Sequence, residues 1–470
     1  MKTMRHHATL RPLLLAIAVL IAGCSVAPTY ERPTTPEPVA YKEAEGWVPA
    51  APADALDRGP WWQLFGDPVL NELAASVEVS NQNVAVAVAN YAQARAIVAQ
   101  QRATLFPSLT LGLGAERGGV RGNGADTAYR LNLGGAWEPD VWGRLRAGVT
   151  SAQANAEATL ADLASARLSA QGEVAASYFT VRALDAQRLL LETSIAGYAR
   201  ELRITQNRYD VGIVARTDVL QAQTQLANAQ SDALTLQRQR AQFEHAIAVL
   251  VGRAPSEFAL APTETWQVTV PAIPVGVPAT LLQRRPDIAA AERDVAAANA
   301  EIGIARSAYF PNIGLSASLG NGGNRFGDLF SASNAAWSFG LSAAQTVFNA
   351  GATRAAVASA EARHQATVAR YRQTVLDAFA DVEDQLSAVR VLEQQQELRR
   401  IASEAADKVE QQILNRYRAG QVSYTEVVQA QNTALNARRS LVQVQADRQS
   451  AAVALVQALG GGWQAGREQG

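Results

Sequence analysis

The feature that most constrains this 470-residue chain is that it carries the same plan twice. Around Pro107 it reads LFPSLTLGLG and around Pro311 YFPNIGLSAS, an offset of 204 positions. NRYDVGIVARTDVLQAQ from Asn207 returns as NRYRAGQVSYTEVVQAQ from Asn415, offset by 208, with ten of 17 positions identical. Val141-Trp142 pairs with Val347-Phe348, and Leu250-Val251-Gly252 with Leu459-Gly460-Gly461, in the same order. Repeats of 20–50 residues build solenoids. A period of about 200 residues is instead a domain-scale duplication.

Each half has the same predicted contents. Helical spacing of apolar residues runs over Asn71–Leu105 and again over Ile288–Tyr309, each ending before a Pro. Two short strands follow in each half. Leu109, Leu111 and Leu113 alternate with Thr110, Gly112 and Gly114; Tyr129, Leu131 and Leu133 alternate with Arg130 and Asn132, and Trp137 continues their face. In the second half Ile313, Leu315, Ala317 and Leu319 alternate with small or polar residues, as do Trp337, Phe339 and Leu341. Apolar residues on one face, with aromatics near the ends, match a transmembrane β-barrel. A half-buried soluble hairpin has the same alternation. Then come Pro-free helical stretches, Arg144–Arg208 and Thr353–Arg418, each turning at a Gly (Gly212, Gly420) into a second helix, Thr217–Leu250 or Thr425–Leu459. About 60 residues at 1.5 Å each gives roughly 95 Å, too long for a globular core and suited to coiled-coil-like packing.

The N-terminus reads as a leader. Lys2, Arg5 and Arg11 precede an apolar run, Leu13–Ala22, too short to span a bilayer. It ends Leu20-Ile21-Ala22-Gly23-Cys24, which resembles a bacterial lipobox with Cys24 as the lipidated mature N-terminus. Ser25 resembles lipoproteins sent on to the outer membrane, where acyl chains anchor without spanning. Cys24 is the sole cysteine, so no internal disulfide is expected. A net charge of −1, becoming −4 without the leader, argues against a nucleic-acid partner.

Four strands cannot close a barrel, and open edges are not tolerated in lipid. Several chains must contribute. Three copies give 12 strands with cyclic symmetry; two would give a barrel filled by its own side chains. The expected fold class is therefore a mixed α and β membrane protein, with a trimeric 12-stranded barrel built from four strands per chain. The predicted segments are 1–23 leader, 24–70 lipidated extended segment, 71–254 first repeat, 255–280 Pro-rich inter-repeat segment, 281–463 second repeat and 464–470 tail.

The chain resembles the TolC-like outer-membrane factors, in particular the lipoprotein branch (OprM and NodT types) that serves tripartite efflux systems. The lipobox at Cys24, WWQLFGDPVLNEL from Trp61, LLQRRPDIAAAE from Leu281, the paired LFP and YFP strand starts and the paired RY-x-x-G turns carry that resemblance, from Cys24 to about Trp463. It implies a β-barrel continuous with a long periplasmic α-helical barrel, and an equatorial collar built from the terminal and inter-repeat segments. It also implies a passive exit duct in the outer membrane for drugs or other small molecules. Its partners would be a periplasmic membrane-fusion adaptor and an inner-membrane pump, of RND type. A type I secretion duct, a metal-efflux duct and an adaptor lipoprotein are the alternatives. By position, Asp218 matches a constriction acid, Tyr417 its tyrosine partner and Glu426 an acid lining the entrance. Arg208 and Arg416 recur in both repeats, beside Tyr209 and Tyr417, and could supply charge where the family's pattern is broken at Val422 and Gln429. Against these gating roles stand helix capping for the two acids and packing for the two tyrosines. The turns at Gly212 and Gly420 should form the periplasmic tip. Arg284, Arg285 and Asp287 look catalytic only superficially, because Pro286 beside a helix start makes Asp287 a cap. His245 and His364 stand alone in long helices, and GLGAERGG lacks the Lys-Ser/Thr ending of a phosphate loop. No enzymatic activity and no cofactor beyond the lipid on Cys24 are expected.

Overall fold

A computed structural model of the chain describes residues 26–35, 38, 40–43, 60–119, 125–266, 268–271, 273 and 284–461. The leader and Cys24 lie outside them, as do residues 267, 272 and 274–280 of the inter-repeat segment and the tail. The duplication appears as matched helix lengths. Helix α1 (Pro68–Ser80) leads into α2 (Gln82–Ala103), β1 (Ser108–Gly118), β2 (Asp126–Trp137), α3 (Arg144–Asp210) and α4 (Arg216–Leu250). The second half runs α5 (Pro286–Ser307), β3 (Asn312–Gly323), β4 (Ala335–Ala344), α6 (Ala352–Arg418) and α7 (Tyr424–Ala458). Helices α2 and α5 have 22 residues each, α3 and α6 have 67, and α4 and α7 have 35. Among the described residues no helix is long and apolar enough to cross a membrane.

The chain divides into two compact units. The first holds residues up to Thr35, Ala89–Ala161 and Ala290–Gln373. Its centre is a four-stranded antiparallel sheet in the order β1-β2-β3-β4. The register aligns Leu111, Leu133, Leu319 and Trp337 in one row across all four strands. Thr110, Gly134, Ser318 and Ser338 form a row on the opposite face, where the last two hydroxyls are 2.8 Å apart. Leu109, Leu111, Leu113, Trp337, Phe339 and Leu341 are all exposed, so the described residues leave most of the apolar face and the outer edges of β1 and β4 uncovered. Below the sheet Trp142 stacks on Phe310 at 4.8 Å and its indole N–H donates to the Pro311 carbonyl at 2.7 Å. The repeated strand-start motif of one half is thus tied to the strand-end motif of the other.

The N-terminal stretch is fastened along this unit. Val26 N–H donates to the Trp142 carbonyl (3.3 Å), Asn299 to the Pro28 carbonyl (2.9 Å), and the Tyr30 hydroxyl to Glu292 (2.6 Å). A Cβ on Gly303 would lie 2.4 Å from the methyl of Ala27, so glycine is what lets the N-terminal stretch approach α5.

The second unit holds Pro36–Val88, Asp162–Ala289 and the chain from Thr374. Here the expectation of one helix over Asn71–Leu105 is corrected: the helix breaks at Asn81. Asn81 has extended backbone and its side chain serves both sides of the break. Its Oδ1 accepts from Asn83 and Val84 N–H, capping α2, while its Nδ2 donates 2.7 Å to the carbonyl of Leu250 at the end of α4. The second half closes the corresponding junction with different chemistry. Arg285 donates to the Ala458 carbonyl at the end of α7, forks onto Asp287 (2.6 and 3.0 Å) and reaches Asp381 (3.1 Å). Asp287 therefore has a structural role, as expected, but as the ion-pair partner of Arg285 more than as a cap. Glycines with positive φ allow both closures: a Cβ on Gly252 would meet the Ser80 carbonyl oxygen at 2.2 Å, and one on Gly460 the Arg284 carbonyl oxygen at 2.1 Å.

The WWQLFGDP motif forms a 3₁₀ turn, Trp61–Phe65, whose aromatic rings are buried, with Phe65 against Phe179 of α3 at 5.1 Å. Asp67 then caps α1 and accepts a 2.6 Å hydrogen bond from Tyr178. The start of the inter-repeat segment is clipped by a buried charge network. Asp185, with a fully buried side chain, accepts from Arg240 (2.6 Å) and Arg182 (3.4 Å). Arg240 also bonds Glu244 and the Leu260 carbonyl, while Glu244 accepts the Leu260 N–H and Arg182 donates to the Ala261 carbonyl. Removing one partner of a buried ion pair strands the other charge in a poor solvent. Arg240→Ala is expected to destabilise the protein by about 3 kcal/mol, at the low end because Arg182 remains. Denaturant unfolding of the purified protein checks this, and Arg240→Lys should lose less.

Candidate gate at the helical hairpin ends

Both hairpins end in the second unit. α3 closes with a turn in which Gly212 N–H donates to the Tyr209 carbonyl and Ile213 N–H to the Arg208 carbonyl, both at 2.8 Å. α6 closes identically, Gly420 to Tyr417 and Gln421 to Arg416, both at 2.9 Å. This is the Schellman pattern, which needs a left-handed residue at the helix end. Gly212 (φ +79°) and Gly420 (φ +74°) supply it, as their places in the sequence predict.

Behind the turns the hairpins pack together. Ala222 of α4 and Tyr424 and Val427 of α7 form a buried cluster, lined by Leu202, Leu414 and Tyr417. Tyr417 and Tyr424 lie 5.4 Å apart, and the Arg208 guanidinium sits over the Tyr417 ring at 5.3 Å. That cation–π geometry favours the charged arginine at the ring face. The Tyr417 hydroxyl is buried without a hydrogen-bond partner among the described residues. Tyr424 is held above its ordinary pKa, first by burial and then by the charges of Glu201, Tyr417, Tyr198 and Asp218. Polar contacts bridge α4 to α7 as well, Gln225 to Asn432 at 2.7 Å and Gln221 to Thr425 at 3.4 Å.

The structure separates the two candidate acids. Glu426 is spent on its own helix: it accepts from Ser423 N–H (3.3 Å) and Ser423 Oγ (3.4 Å) as half of a capping box, and it is exposed. Asp218 stands at the same position of α4, but the N-cap there is Ala215 and no side-chain cap bond forms. Asp218 is half-buried and close enough to Tyr424 for its charge to be felt. Tyr417 thus packs against Tyr424 with Asp218 nearby and Arg208 over the Tyr417 ring, whereas Tyr209, Arg416 and Glu426 are exposed. Sequence reasoning gave Tyr424 no role, and missed it as a centre of the packing. It also missed Glu201, which accepts 2.7 Å from Gln431 and is pushed above the usual carboxylate range by burial.

The comparisons with known proteins agree with this architecture. The sequence pattern of the family described as "Outer membrane efflux protein" matches residues 73–253 and again 277–461. A curated relative from Pseudomonas putida, "Probable efflux pump outer membrane protein TtgC", is 32% identical over 96% of both chains. "Pyoverdine export outer membrane protein OpmQ" of Pseudomonas aeruginosa is 31% identical over 97% of both. Among solved structures, the outer-membrane channel OprN superposes with a TM-score of 0.86 at 31% identity, covering 94% of this chain and all of that one. The chain belongs to the outer membrane efflux protein family, and its sheet and paired long helices are the fold of an outer-membrane channel.

Two measurements probe these helix ends. A Cβ on Gly212 or Gly420 would meet no atom within 4 Å, so substitution there tests backbone conformation alone. Gly212→Ala and Gly420→Ala are each expected to cost about 1–2 kcal/mol of local stability, read as faster amide exchange in the last turns of α3 and α6. Glu201 gives a pH test. A raised pKa makes the folded state the better proton binder, so stability falls as pH rises from the unfolded carboxyl value through the raised one. Glu201→Gln should remove that fall and raise stability at neutral pH, checked by melting curves across pH.

Proposed function

We propose that three copies of this chain form the exit duct of a tripartite efflux system. The duct passively conducts small molecules from a periplasmic adaptor and an inner-membrane pump of RND type across the outer membrane. The observation that carries this reading is the four-stranded sheet with an apolar face and two unpaired edges, β1 and β4. In hydrocarbon such edges are satisfied only by closure, and pairing β1 of one copy with β4 of the next closes twelve strands around a polar lumen. Acylation of Cys24 anchors each copy. The fastening of Val26–Thr34 along the first unit supports this, because it fixes the chain two residues from the attachment point.

In the second unit, Asp218, Tyr417 and Arg208 are the gate of the closed state, with Gly212 and Gly420 forming the tip turns and Tyr209, Arg416 and Glu426 outside the contact cluster. The orphan Tyr417 hydroxyl supports that assignment: buried polar groups are bonded in native structures, and a neighbouring copy is the natural source of the missing acceptor. Three Asp218 carboxylates around one axis would favour cations at low salt and be screened at high salt.

Single-channel recording in planar bilayers tests the proposal. The parent channel is expected to show low conductance, and Asp218→Ala combined with Tyr417→Phe to raise it several-fold while weakening cation selectivity. Absence of any pore in either protein would sink the duct; equal conductance in both would remove Asp218 and Tyr417 from the gate and leave the duct.

A further inference from the structure

The connection between β3 and β4 folds back onto the sheet, and the register says onto which face. Tyr129 pairs with Gly323, Leu131 with Asn321 and Leu133 with Leu319, so all six lie on the face that carries the Leu111–Trp337 row. A 3₁₀ turn, Phe326–Phe330, packs on that face. Phe326 meets Tyr129 edge-on at 5.9 Å. Asn321 Nδ2 donates to the carbonyls of Leu329 (2.8 Å) and Ser331 (3.2 Å), and Arg325 N–H donates to Asp328 (3.0 Å). A Cβ on Gly323 would run into the Asp328 side chain at 2.3 Å, so glycine lets the turn sit down. Leu329 fills the space beneath, 2% exposed.

What remains outside is unusual for so short a turn. Phe326 and Phe330, 6.0 Å apart, are 56% and 73% exposed. The turn contacts β2 and β3, the central strands, and so leaves the closing edges β1 and β4 clear. A plug for the lumen would need to sit on the serine-rich face, and a contact between copies would need to sit at an edge; this turn does neither. Its aromatic pair instead continues the apolar band at the end of β3 far from the helices. Short elements that carry an apolar face of Phe, Trp or Leu bury it at the boundary between headgroups and acyl chains, where barrels carry their aromatic girdles.

We infer that the Phe326–Phe330 turn is a membrane foot, which seats the rim of the barrel in the outer leaflet by inserting Phe326 and Phe330 at the headgroup–acyl boundary. The inference rests on the reading of the sheet as membrane-spanning, and its partner is the lipid surface itself.

Spin labelling separates the two. Phe326→Cys and Phe330→Cys, in the full chain reconstituted into phosphatidylethanolamine–phosphatidylglycerol vesicles, carry nitroxides whose collisions with oxygen report lipid and with a nickel chelate report water. The identically labelled parent chain supplies the blank for Cys24. Leu111→Cys and Phe339→Cys report on the apolar band, and Lys408→Cys in α6 on bulk water. The expected result is an oxygen-to-nickel ratio several-fold above that of Lys408→Cys at positions 326, 330, 111 and 339 alike. Water-like ratios at 326 and 330 with lipid-like ratios at 111 and 339 would overturn the foot alone. Water-like ratios at all four would overturn the membrane-spanning sheet and the foot with it. Should either phenylalanine variant fail to fold, Gly327→Cys reports from the same turn, where an added Cβ meets nothing within 4 Å.

Discussion

A peptide group in hydrocarbon has nowhere to send its hydrogen bonds except to another peptide group. That constraint organises this protein. Four strands leave two rows of unsatisfied donors and acceptors, at β1 and β4, and no rearrangement within one chain removes them. The chain answers with a sheet designed for repetition: apolar rows on one face, small and hydroxylated residues on the other, and edges of 11 and 10 residues that can pair with each other. Assembly is thereby part of folding, since the membrane-spanning element has no complete state as a monomer.

The helical part solves a different problem, which is how to make two copies of one fold meet without being identical. At the ends of α4 and α7 the close approach is the same, a left-handed glycine against a backbone carbonyl. The polar closure is not. Asn81 splits a helix and caps it in one half; Arg285, braced by Asp287 and Asp381, does the equivalent work in the other. The tip repeats the lesson, with the same glycine turns and a buried Tyr424 where the first repeat carries an exposed Arg216. Geometry was retained across the duplication wherever backbone meets backbone, and chemistry diverged wherever side chains meet.

This division also explains what could be read from the sequence. The strands, the long helices and the tip turns depend on local pattern, alternation, the absence of proline and an isolated glycine, so they were legible to within a few residues. The break at Asn81 was not, because neither proline nor glycine marks it; the asparagine is recognisable as a double cap only once Leu250 is beside it. The contrast between Asp218 and Glu426 was half legible. Ser423 three positions before Glu426 is a capping-box pattern, and Ala215 before Asp218 is not. Tyr424, Glu201 and the Asp185–Arg240 network became visible only through contacts between residues distant in the chain.

The equality of the helix lengths has a consequence for how such a chain can change. One inserted residue in α3 would turn everything beyond it by about 100° and advance it by about 1.5 Å. The packing between α4 and α7 would then lose register, as would the pairing of Arg208 with Tyr417. The two 67-residue helices are therefore gauges set against each other, and length is the one property neither half can alter alone. Substitutions can accumulate at the exposed positions of these helices, while insertions and deletions must arrive in both repeats together or not at all.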